Sequence, residues 1–155
     1  MLSKQEQLGL AIHIAAEGHL GQFDKGEKPY ILHPLHLMEQ LLFDMELATI
    51  AVLHDVPEDT AWTVEDLVAK GFSKRVTDAL VLLTHNRGEP YGEYINGMLD
   101  NYDCIRVKRK DIDHNSRVIR LKGVSEKDLA RIEKYHRAYI TLGEARARHT
   151  KGYNE

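Results

Sequence analysis

Near the start of the chain, Ser3-Lys4-Gln5-Glu6 is followed by Leu8, Ala11, Ile12, Ala15 and Ala16, apolar positions three and four apart. That spacing puts them on one helical face, and a serine three residues ahead of a glutamate is the reciprocal cap that starts a helix. This helix is expected to end near Gly18. Between Gly21 and Pro29 lie two glycines, a proline and four charges, which read as a loop leading into Tyr30-Ile31-Leu32-His33-Pro34. Pro34 suits the first turn of a second helix with Leu35, Met38, Leu41 and Leu42 on one face. A third helix starts behind Asp44, aligns Leu47, Ile50, Ala51 and His54 in a stripe, and is expected to be interrupted by Pro57.

Thr63 and Ser73 read as the next two N-caps, with Gly71 as a stop between them. Val76, Leu80 and Leu83 continue the helical period. Further helices are expected from Tyr91 to about Leu99, from Asp103 to about Asn115, and from the capping pair Ser125 and Asp128 through Leu129, Ile132, His136 and Tyr139. Nothing alternates with period two for long enough to make a strand. The fold class is all-α, a single domain of about seven helices. It is expected to span 1–145, with a polar, fraying tail over 146–155.

The 155 residues carry 21 Lys and Arg against 24 Asp and Glu, a formal net charge of -3. Such a balance offers no whole-protein attraction for nucleic acid or an anionic membrane. The basic run Arg106 to Lys110 alternates with other residues and reads as a solvated helix face plus the wall of a phosphate pocket. No segment is apolar for long enough to span a bilayer, and no signal peptide is expected. Cys104 stands alone, so neither an intramolecular disulfide nor a cysteine zinc site can form, and a reducing, cytoplasmic setting is expected. A homo-oligomer is left open.

Nine histidines in so short a chain ask to be sorted into ligands and bystanders. The densest chemistry is His54-Asp55-Val56-Pro57-Glu58-Asp59, an imidazole and three carboxylates at the end of an apolar helix. Charges there are costly unless paired or bound to a metal. Neighbours on a helix point about 100° apart, so His54 and Asp55 can share an ion only in a cleft that other segments help to build. His33 lies just before a helix, and Asp111 and Asn115 share a helix face at i, i+4. Two imidazoles and two carboxylates would suit Mn²⁺ or another first-row divalent ion better than a closed structural zinc site.

These residues also carry a resemblance. Ala15-Ala16, His19, Gly21-Gln22, Lys25, Pro29-Tyr30-Ile31, His33-Pro34-Leu35, Leu53-His54-Asp55, Glu58-Asp59-Thr60, Thr84, Val107-Lys108, Asp111 and Asn115 occur in order over residues 5 to 145. The pattern resembles the HD-superfamily hydrolase domain of RelA/SpoT-type alarmone enzymes, most closely the stand-alone small alarmone hydrolases; the chain is too short to add a synthetase domain.

The resemblance implies a Mn²⁺-dependent guanosine 3′,5′-bis(diphosphate) 3′-pyrophosphohydrolase, a phosphoric diester hydrolase acting on a small nucleotide. It makes His33, His54, Asp55 and Asp111 the metal ligands, and Glu58 and Asp59 the pair that activates water. Asn115 would stand beside the nucleotide. Lys25, Arg87, Arg131 and Tyr135 would bind it, Arg131 and Tyr135 forming an i, i+4 pair.

Three departures stand out. Asp24 replaces an arginine that many relatives carry before the loop lysine, which puts an anion near the expected nucleobase. An adenine alarmone or NADPH is therefore the alternative substrate, and an inactive nucleotide-sensing module the alternative from another class. Pro57 inside the acidic motif is expected to tilt the acids by biasing Val56 away from helix. Lys110 and Asp113 make the surroundings of Asp111 unusually charged. The other histidines read as bystanders, with His114 notable for lying between Asp111 and Asn115.

Overall fold

The Ser3 hydroxyl accepts the Glu6 amide and the Glu6 carboxylate accepts the Ser3 amide, so α1 (Lys4–Gly18) starts with the expected reciprocal cap. Its buried face, Leu8, Ala11, Ile14 and Ala15, lies against α3 (Met45–Leu53). The computed structural model describes residues 1–151. Among them are nine α-helices and one 3-10 turn, Val118–Arg120, and no strand beyond a single bridge between Phe23 and Pro29.

Asp44 caps α3 by accepting the Glu46 and Leu47 amides. The helix was expected to show one apolar stripe, but every residue from Leu47 to Leu53 is buried. A helix that is apolar all round belongs at the centre of a domain. Around it pack α1, α2 (Leu32–Gln40), α6 (Lys74–Leu83) and α8 (Tyr102–Asn115). The end of α3 therefore delivers His54 into the interior rather than to the surface.

Pro57 does not tilt Val56 out of helix. Asp55 is the N-cap of a one-turn helix, α4 (Val56–Asp59), with Pro57 in its first turn. A missing amide costs nothing there, because first-turn amides have no intrahelical acceptor. Four residues are too few to leave a readable period, so the sequence does not announce this helix.

Thr63 and Ser73 cap α5 (Val64–Ala69) and α6, and Gly71 turns the chain between them at φ +90°. After α7 (Tyr91–Gly97) and α8, the last helix, α9 (Glu126–Lys151), outruns the expected fraying point. Leu142 and Ala145 are buried, and His149 bonds the Leu99 carbonyl at 2.9 Å and stacks on Tyr102. The rest of the expected tail, 152–155, lies outside the described residues. No helix among the described residues is long and apolar enough to cross a membrane.

Candidate metal centre and substrate cavity

Three separate elements bring the predicted ligands to one place. His33 comes from the first turn of α2, His54 and Asp55 from the joint between α3 and α4, and Asp111 from α8. Ligand atoms of His33, His54 and Asp111 lie within 4.8 Å of one another, all three side chains buried. His33 Nε2 is 3.0 Å from Asp111 Oδ1 and 3.9 Å from Asp55 Oδ2. His54 Nε2 is 2.9 Å from Asp55 Oδ2 and 3.6 Å from Asp111 Oδ1.

The chemistry of His54 tests whether a cation fits here. Its Nδ1–H donates to the Ala51 carbonyl at 2.7 Å, which directs Nε2 at the two carboxylates. That buried nitrogen has no hydrogen-bond partner. Burial disfavours a charged imidazole, but Asp55 and Asp111 outweigh it and hold His54 well above its ordinary pKa. Burial likewise opposes ionisation of the two acids, yet His54 brings Asp55 down to about 2, and Lys108 holds Asp111 far below the carboxylate range. Two ionised carboxylates, Asp111 buried and Asp55 partly so, and two imidazole nitrogens form a centre that demands positive charge, a donor set that fits a divalent ion.

Outer contacts fix the ligands. Lys108 Nζ binds Asp111 Oδ2 at 2.7 Å and Asn115 Nδ2 donates to Oδ1 at 2.7 Å. The Tyr30 hydroxyl donates to Asp55 Oδ2 at 2.5 Å. His114 is no bystander: its Nδ1 meets His33 Nδ1 at 2.6 Å, and its ring stacks on both His33 and His36. Burial, with Arg120 nearby, pushes His114 down to about 3, so it stays neutral and can accept the His33 Nδ1–H. Tyr30 and Lys108 were legible only as members of a motif run. The i, i+3 spacing of Lys108 and Asp111 is the one local signal that could have paired them.

Glu58 and Asp59 stand beside Asp55, with carboxylate oxygens of all three within 4.8 Å of one another. Glu58 Oε1 accepts the His85 amide at 2.7 Å, which ties α4 to the segment after α6. Asp59 lies at the exposed edge of the centre, and partial desolvation there together with the neighbouring charges of Asp55 and Glu58 pushes its carboxyl up to about 6.

A cavity of about 250 Å³ opens next to the centre, lined in part by Lys25, Asn115, Arg131 and Tyr135. Lys25 and Arg131 converge on Asp128, at 3.3 and 3.2 Å, and Asp128 also closes the cap with Ser125 at the start of α9. Arg120 and Arg117 line the same cavity. Arg87 does not: it is exposed in the turn that passes through Gly88 at φ +82°, and the hold of Glu58 on His85 anchors only the base of that turn. Asp24 lines the cavity, but its carboxylate is occupied. Oδ1 accepts the Gly26 and Lys28 amides at 2.8 and 2.9 Å, and Oδ2 pairs with Arg120 at 3.2 Å. It organises its own loop, and its charge is matched by a cation from the opposite wall.

No family model matches the chain. Among curated proteins it is 33% identical over 121 residues to a guanosine-3′,5′-bis(diphosphate) 3′-pyrophosphohydrolase of Haemophilus influenzae, an alignment covering 68% of this chain and 18% of that protein. It is 30% identical to a GTP pyrophosphokinase of Myxococcus xanthus, covering 76% of this chain and 17% of that one. It is 27% identical to the bifunctional (p)ppGpp synthase/hydrolase SpoT of Escherichia coli K12, covering 74% and 18%. The chain thus spans less than a fifth of the length of these relatives. Among solved structures it matches one described as a metazoan ortholog of SpoT that hydrolyzes ppGpp and plays a role in starvation responses. The TM-score there is 0.71 at 22% identity, over 88% of this chain and 84% of that one. In sequence and in all-α fold, the chain is similar to the hydrolase region of RelA/SpoT-type proteins.

Proposed function

From a chain that resembles the RelA/SpoT-type hydrolases in sequence and fold, we propose a Mn²⁺-dependent guanosine 3′,5′-bis(diphosphate) 3′-pyrophosphohydrolase. It takes up water and releases pyrophosphate from the 3′ position of ppGpp or pppGpp, leaving GDP or GTP. The observation that carries this reading is the unpartnered Nε2 of His54, aimed at two ionised carboxylates beside a cavity lined with cations.

His33, His54, Asp55 and Asp111 would hold the ion, a mixed nitrogen and oxygen set that suits Mn²⁺. When bound, a divalent ion lowers the pKa of a coordinated water and offsets phosphate charge. Asp59, whose carboxyl titrates at about 6, is matched to taking a proton from the attacking water near neutrality. Glu58, fixed by the His85 amide, orients that water. Lys25 and Arg131, anchored by Asp128, bind phosphate oxygens. Asn115 and Tyr135 flank the nucleotide. Arg87, outside the cavity, has no part in this reading.

Chromatographic product analysis tests it. With ppGpp and Mn²⁺ the products are GDP and pyrophosphate in equal amounts, and Asp111→Ala abolishes both. Products other than these, or turnover that survives Asp111→Ala, overturn the assignment.

A further inference from the structure

α8 carries two polar stripes. Lys108, Asp111 and Asn115 face the metal centre, whereas Arg106, Arg109, Lys110 and Asp113, at i, i+3, i+4 and i+7, form another. This other stripe lines a separate cavity of about 370 Å³, closed by Phe43 and by Tyr139 and Arg146 of α9. That size falls among small-ligand sites. The two cavities share no lining residue.

The charges in the second cavity are unbalanced. Arg106 pairs with Asp103 at 2.6 Å, and the cavity's one acid, Asp113, is taken by Arg117 at 2.9 Å. Among the described residues, Arg109, Lys110 and Arg146 have no carboxylate within ion-pair distance. Three uncompensated cations thus converge on one concavity in a chain whose net charge is negative.

Arg109 is also held in place. Its Nη1 donates to the Tyr139 carbonyl at 2.7 Å, and its guanidinium lies 3.8 Å from the centre of the Tyr139 ring. The helix makes room for it: a Cβ on Gly143 would stand 2.6 Å from Nη1. A guanidinium fixed in advance loses little freedom on meeting an oxyanion.

We propose that this cavity is a second anion site, in which Arg109, Lys110 and Arg146 bind a diphosphate group, either as pyrophosphate or as the diphosphate arm of a nucleotide. Several adjacent negative oxygens are what three convergent cations select over a single carboxylate. Phe43, 74% exposed at the rim, offers a ring on which a base would stack. The site is independent of the proposed hydrolysis.

Calorimetric titration of the full chain with pyrophosphate, and separately with GDP, tests the site at low salt. Lys25→Gln/Arg131→Gln, altered only in the first cavity, keeps one class of binding site. Adding Lys110→Gln/Arg146→Gln, two side chains outside the core, raises the Kd of that class tenfold or more. Tighter binding of GDP than of pyrophosphate identifies a nucleotide arm, and equal binding identifies the diphosphate alone. Binding unchanged by Lys110→Gln/Arg146→Gln, or none left in Lys25→Gln/Arg131→Gln, overturns the proposal.

Discussion

The imidazoles of His33 and His114 lie 12° from parallel with their Nδ1 atoms 2.6 Å apart, so one ring donates and the other accepts. If His33 keeps its Nε2 lone pair for an ion, its Nδ1 carries the proton and His114 must be the neutral acceptor. A second contact of this kind orients a ligand imidazole and raises its basicity. His114→Ala is therefore expected to weaken Mn²⁺ binding about 10- to 100-fold while the fold persists, as read from a Mn²⁺ titration alongside circular dichroism.

Lys108 and Asp111 form a buried ion pair, with side chains 12% and 6% exposed. Removing one partner leaves the other charged and unmatched, a loss of about 3–5 kcal/mol. Lys108→Met should lower the urea midpoint by a corresponding amount. Because the bared carboxylate is also a proposed ligand, Mn²⁺ should recover more stability in Lys108→Met than in the parent chain. Equal recovery in both would separate Lys108 from the centre.

Arg75 joins α6 to the starts of α3 and α8 through Asp44 at 2.7 Å and Asp103 at 2.7 and 2.9 Å. Burial would raise both acids, but the Arg75 hydrogen bonds prevail and lower them below 3.8. In that range the unfolded chain binds more protons, so this stabilisation is complete above the ordinary carboxylate pKa and is lost as the pH falls through the folded-state values. Arg75 is about a third exposed, so screening reduces the effect. Arg75→Met should flatten the acid side of the Tm against pH curve and leave its shape at neutral pH unchanged.

Asp24 holds its loop through two backbone amides and pairs with Arg120. Asp24→Arg would lose those bonds and set two guanidiniums against each other. Steady-state kinetics on ppGpp should show KM raised about tenfold or more with a smaller change in kcat, since the loop carries Lys25 and not the acids. An improved KM would mean that the aspartate opposes guanine binding after all.

Helices with strong local signals were readable from the chain. Caps at Ser3, Asp44, Thr63 and Ser73 act through residues two or three positions away, which any sequence displays. His54 and Asp55 were legible because an imidazole and carboxylates crowd an apolar helix end, whereas His33 and Asp111, on other helices, were singled out by the motif order that carries the resemblance. α4 was hidden by its length, and the reach of α9 to Lys151 by its polar surface, because its seal depends on distant contacts such as His149 with Leu99. Long range also explains the other surprises. His114 meets a ring 81 positions away and Asp24 a cation 96 positions away, and neither relation leaves a trace in local spacing.

The central claim is that hydrolysis of ppGpp depends on an ion held by His33, His54, Asp55 and Asp111. It is tested most directly by measuring pyrophosphate release before and after the protein is stripped with a chelator and reloaded with Mn²⁺. The expected result is loss of release on stripping, recovery on reloading, and no recovery in His54→Ala. Release that persists in the stripped protein, or that returns in His54→Ala to the parent level, would contradict it.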